Sequence, residues 1–188
     1  MTPVNRHAWS AIVLLCCPIL LGAGGEPAIA GAAMAPEFPS AQAPSLPSAS
    51  APLSPQWLNS GPLSMQQLRG RVVLVEFWTF GCRNCKNVEP YIKRWHKKYQ
   101  DKGLVVIGVH TPEFAYERKL DNLRNYVGKN AIHYPVVVDN DAGIWHAYRN
   151  WAWPTVYLVG KRGKIRYKRI GEGGYRETER TIRRLLDE

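Results

Sequence analysis

The sequence predicts an α/β domain built on a central mixed β-sheet flanked by helices. Three observations carry that expectation. Four short, β-branched and nearly continuously apolar runs suit strands buried on both faces of a sheet. Helical patterns separate them, and the chain ends in a strand pair and a closing helix; helix-separated strands followed by a hairpin imply a mixed sheet.

The elements follow in order. RVVLVEFW (71–78) is the first buried strand, and after it Val88, Tyr91, Ile92, Trp95 and Tyr99 recur at helical spacing, with Pro90 expected to kink that helix. LVVIGVH (104–110) is the second strand. A helix is expected over 112–127, with Thr111 as its cap, Pro112 at its first position, and a stripe of Phe114, Leu120, Leu123 and Val127. YPVVVD (134–139) is a third strand, and Asp141 is expected to cap a short helix reaching Arg149. TVYLVG (155–160) is a fourth. KIRYKRI (164–170) alternates polar and apolar residues as a half-exposed antiparallel edge strand does, and Ile182, Leu185 and Leu186 mark the last helix.

The first 30 residues read differently. Arg6 and the terminal amine precede the apolar segment AIVLLCCPILLGAG, and Ala28-Ile29-Ala30 offers a small-residue cleavage site. This is the pattern of a secretory signal peptide, with an apolar core shorter than the ~20 residues of a membrane span. An uncleaved anchor that includes residues 8–10 is the alternative. Residues 31–55 are almost entirely Ala, Pro and Ser and have no hydrophobic period, as in a linker. Residues 56–188 then form one domain.

Of the 188 residues, 25 are Lys or Arg and 15 are Asp or Glu, giving a net charge of +10 that survives processing because Arg6 and Glu26 cancel. A surface so basic suits acidic partner proteins or an anionic membrane surface. Nucleic acid is not expected, since the export signal argues against it and the cations are dispersed rather than gathered in one arm.

Cleavage removes Cys16 and Cys17 and leaves Cys82 and Cys85, in FWTFGCRNCKNVEP, as the only thiols. A zinc site would need a second pair of soft ligands, and no two of His96, His110, His133 and His146 stand three to five residues apart. A purely structural bridge across two residues would remove little chain entropy from the unfolded state. A redox pair makes better use of the position. Cys82 falls where a buried strand gives way to a helix, and the helix N-terminus and the neighbouring Arg83 both favour a thiolate there. Glu76, a carboxylate inside the apolar strand, is expected to be buried, with a raised pKa suited to proton exchange with the second thiol.

These residues carry a resemblance. V-E-F-W-T-F-G-C-R-N-C-K-N-V-E-P resembles the active-site segment of the thioredoxin superfamily, and Trp153-Pro154-Thr155 resembles its cis-proline loop. The Glu in the strand, the export signal and the segment GVHTPEF are similar to the TlpA-like branch, and more closely to the periplasmic thioredoxin-like domain of DipZ-type proteins. The resemblance spans about residues 57–188. It implies a thioredoxin-like fold, a Cys82–Cys85 disulfide, Cys82 as nucleophile, Cys85 as resolving thiol and Glu76 as proton acceptor. It also implies that Trp153, Pro154 and Thr155 bind the substrate backbone.

Thioredoxin proper has Gly-Pro between its cysteines, so Arg83 and Asn84 are expected to tune the potential, and oxidant and reductant roles both stay open. No cofactor beyond the cysteines is implied. The implied partners are exported proteins with disulfides or thiols, in cytochrome maturation or disulfide repair, and a membrane thiol-disulfide redox partner. The rival readings are a thiol peroxidase and a non-enzymatic metal- or partner-binding module.

Overall fold

A computed structural model of the protein describes residues 42–46 and 56–188. The expected signal peptide at 1–30 lies outside the described residues. Of the expected linker at 31–55, residues 42–46 lie on the domain: the Ala43 amide donates to the Gly163 carbonyl at 2.9 Å, and Leu46 is 1% exposed. Leu46 gives the Pro- and Ser-rich stretch one aliphatic side chain large enough to hold it there, and it joins the core on one sheet face.

The sheet is mixed and six-stranded, in the order β1-β4-β3-β2-β5-β6. Its members are β1 (Trp57–Leu58), β2 (Val72–Trp78), β3 (Leu104–His110), β4 (Val136–Val138), β5 (Thr155–Val159) and β6 (Ile165–Ile170). β2 pairs with β3 in parallel and with β5 antiparallel, which puts it in the interior of the sheet and buries all seven of its residues. That double coverage is why VVLVEFW reads as a continuous apolar run broken only by Glu76. β6 lies at the edge, antiparallel to β5.

Alternation along β2 divides the interior. Val72, Leu74 and Trp78 face a cluster that includes Cys85, Val88, Ile92 and Trp95 of helix α1 (Arg83–Tyr99), Leu123 and Val127 of α2 (Leu120–Lys129), and Ile182 and Leu185 of α4 (Tyr175–Asp187). Val73, Val75 and Phe77 face the other cluster, with Ile144 and Trp145 of α3 (Gly143–Ala147). The described residues include no helix long and apolar enough to cross a membrane.

Two helices depart from expectation. The stretch 112–127 is not one helix: a short 3₁₀ turn, Ala115–Arg118, precedes α2, which starts only at Leu120. Thr111 is not its cap, because its hydroxyl donates to Asp139 Oδ2 at 2.9 Å. Nor does Asp141 carry the next cap. Asp139 does, accepting the Ile144 and Trp145 amides at 2.9 and 3.0 Å, and α3 stops at Ala147. A carboxylate that accepts two orphan amides and a hydroxyl outcompetes the exposed Asp141, which accepts one amide at 3.3 Å.

Candidate active site

Cys82 and Cys85 are joined as a disulfide at the N-terminus of α1. Cys82 is the N-cap residue in extended conformation, and its Sγ accepts the Cys85 amide at 3.2 Å. Sulfur thus occupies the place of a capping oxygen, where helix amides and dipole favour negative charge. Cys85, one turn inside, is buried, whereas Cys82 is half-buried and Arg83 and Asn84 are exposed. The two sulfurs therefore differ in access while sharing one bond.

Glu76 lies on the same sheet face as Cys85, between Leu74 and Trp78, and is 1% exposed. Its one hydrogen bond is long, 3.4 Å from the Tyr134 hydroxyl. Burial first, then the neighbouring charge of Glu89, push its carboxyl up to about 8 against the smaller opposing pull of Tyr134. Gly108, directly across on β3, makes room for this arrangement, since a Cβ there would meet the Trp78 indole at 2.7 Å and the Tyr134 ring at 3.1 Å.

Sequence reasoning missed the groups around Glu76. Glu89, one turn beyond Cys85, accepts the Tyr126 hydroxyl at 2.8 Å and pairs with Lys93 at 2.8 Å, and Lys93 also donates to the Asn130 carbonyl at 2.8 Å. Glu117, 1% exposed, accepts the Gly81 amide at 2.8 Å, immediately before Cys82. His110 is buried with its ring stacked on Phe80 and its Nε2 at 3.2 Å from Thr79 Oγ1. Burial lowers its pKa to about 4, so it is a neutral packing group near pH 7. The only sequence signal for Glu89 and Glu117 is a carboxylate within an apolar or aromatic neighbourhood.

The Trp153–Pro154 peptide bond is cis. Pro154 and Thr155 are buried, Trp153 is half-buried against Trp145, and the Thr155 hydroxyl donates to the Ala152 carbonyl at 2.8 Å. Thr155 is paired with Phe77 of β2, which brings this loop to the end of the sheet where β2 runs out toward Cys82. Among the aromatic residues flanking the cysteines and the cis-proline, Trp78 is core, Phe80 is half-buried and Trp151 is 69% exposed. No three His, Cys, Asp or Glu side chains among the described residues converge as a metal-binding group.

The AhpC/TSA family profile matches residues 41–168. The chain is 42% identical over 135 residues to Protein DipZ of Mycobacterium tuberculosis, covering 70% of this chain and 19% of that protein, so it spans about a fifth of that relative's length. To Thiol-disulfide oxidoreductase YkuV of Bacillus subtilis it is 31% identical over 133 residues, covering 70% of this chain and 88% of that one. Among solved structures it is similar to a thioredoxin-like protein in its oxidised form, with a TM-score of 0.68, 29% identity, and coverage of 79% of this chain and 96% of that one. It is also similar to a thiol-disulfide isomerase from Corynebacterium glutamicum, with a TM-score of 0.66, 26% identity, and coverage of 78% and 97%. A cysteine pair at a helix N-terminus, on a sheet of this topology and with these relatives, leads to one conclusion: the chain belongs to the AhpC/TSA family, is of the thioredoxin-like type and is similar to thiol-disulfide oxidoreductases.

Proposed function

We propose that this protein is an exported thiol-disulfide oxidoreductase that exchanges disulfides with other extracytoplasmic proteins, with residues 1–30 as signal peptide, 31–55 as a linker that partly lies on the domain, and 56–188 as the catalytic unit. The observation that carries the roles is the unequal exposure of two sulfurs joined at one helix terminus. In the reducing direction the Cys82 thiolate attacks a client disulfide, forming a mixed disulfide and releasing one client thiolate. Cys85 gives its proton to the Glu76 carboxylate and attacks Cys82 Sγ, which forms the Cys82–Cys85 bond, breaks the mixed disulfide and releases the second client sulfur as a thiolate that takes its proton from solvent. Two electrons pass from the pair to the client, and a membrane thiol-disulfide partner returns them. The oxidising direction is the same path reversed.

Glu76 suits its role because a base is most effective when its pKa lies near the working pH. Trp153, Pro154 and Thr155 would hold the client's extended backbone beside the sulfurs. Arg83 and Asn84, both exposed beside Cys82, would set the potential.

The test is trapping. Cys85→Ser should accumulate mixed disulfides with exported proteins and Cys82→Ser should not; equal trapping by both, or none, contradicts the assigned roles. A peroxide-consumption assay on the reduced protein separates this reading from a thiol peroxidase.

A further inference from the structure

Beside Cys82 the surface is unusually aromatic. Phe114 is 50% and Tyr116 48% exposed, and their rings stack at 5.9 Å with 7° between planes. Tyr116 meets Phe80 edge-on at 5.6 Å, and Phe80 precedes Cys82 by two residues. Exposed aromatic pairs on a mobile loop would mean little, but this loop is held from beneath. Glu117 accepts the Glu113 and Phe114 amides at 2.7 and 2.8 Å on one oxygen, and the Gly81 amide at 2.8 Å on the other. Asn122 donates to the Tyr116 carbonyl at 2.8 Å. Gly81 permits the approach, since a Cβ there would collide with the Glu117 carboxylate and the Tyr116 hydroxyl.

We propose, on the basis of disulfide exchange at Cys82, that Phe114 and Tyr116 form an apolar docking platform, braced by Glu117, for an aromatic or aliphatic side chain next to the reacting cysteine of a client protein. The platform is continuous with the site where the client disulfide must sit. A residue spans roughly 3.5 Å of extended chain, so the client residues flanking that cysteine pass over Phe80 and Tyr116. Their rings are already ordered, so covering them carries little entropic cost, and exposed apolar surface of this kind marks a contact site.

The experiment uses the reduced full chain and two disulfide-linked peptides that differ only in Phe or Ser two residues from the cysteine. The parent should reduce the Phe peptide about tenfold faster, as judged by kcat/KM, the scale of one good aromatic contact. Phe114→Ala combined with Tyr116→Ala should bring that ratio to about one. Both side chains are half exposed, so their loss leaves the core intact. Phe114→Leu, which keeps most of the apolar area, should retain most of the preference. Glu117→Ala should lower it with both rings present.

Equal rates for the two peptides in the parent, or a ratio that persists in the double variant, overturns the platform. So does a dimer that dissociates in the double variant without any peptide preference, since it assigns the surface to a second copy of the chain. Glutathione disulfide reduction without peptide preference sinks the platform alone. Failure to reduce any of the three disulfides sinks the exchange reading with it.

Discussion

Glu76 and Phe77 are neighbours in one strand, yet they face two chemically different interiors. Phe77 packs edge-on against Trp145, Tyr148 and Tyr157 at 5.8, 5.2 and 5.7 Å, and the Tyr157 hydroxyl is satisfied by the Tyr148 carbonyl at 3.2 Å. Glu76 faces the side that holds Cys85, where Glu89, Tyr126 and Tyr134 are set among aliphatic residues. One face is an aromatic core that contributes stability. The other keeps a nearly unpartnered carboxyl in a low-dielectric setting, which costs stability and provides a titrating group near neutral pH.

The largest expected effect is a pH dependence of stability that belongs to the Glu76 face. Glu76 releases its proton near 4.5 in the unfolded chain and near 8 in the fold. Between those values the folded state retains a proton that the unfolded chain has lost, so the unfolding free energy falls as pH rises and levels off above the window. The full drop is roughly 5 kcal/mol at most. Urea titrations of Glu76→Gln across the window should show the slope flattened and the variant more stable than the parent on the alkaline side. An unchanged slope would mean that Glu76 is not the group responsible.

On the other face, Phe77→Ala should cost about 3 to 4 kcal/mol through loss of its aromatic contacts, with no new pH dependence. Peptide reduction by the fraction that remains folded separates the two faces: a loss of rate beyond the loss of folded protein would show that they are not independent.

Smaller effects refine the polar side. Tyr126→Phe leaves Glu89 without its 2.8 Å hydroxyl donor and should cost about 1 to 2 kcal/mol by denaturant melting. Lys93→Ala removes a half-exposed partner of Glu89 and should cost less than about 1 kcal/mol. The reverse order would place the main support of Glu89 at the surface rather than in the interior.

These two faces also show what the sequence makes legible. The strands were readable because burial on both faces imposes an apolar run, and Glu76 stood out as the one break in it. The CRNC pair was readable from its place between strand and helix. The partners of these residues were not readable. Tyr134 meets Glu76 across 58 residues, Tyr126 meets Glu89 across 37, and Glu117 meets Gly81 across 36. Such contacts are set by strand order and loop packing, and no local period announces them. The split of 112–127 has the same origin: Glu117 and Thr111 turn their side chains to backbone and to Asp139, which draws the chain away from a single helix.

Transfer of the Cys85 proton to Glu76 is the step on which the proposed chemistry depends most. A mixed disulfide prepared on Cys82 can be followed by stopped flow as Cys85 resolves it, at a series of pH values spanning the window, in the parent and in Glu76→Gln. The parent rate should climb with an inflection near 8, and the variant should lack this inflection and resolve at least about tenfold more slowly. Superimposable profiles in the two proteins would contradict that transfer.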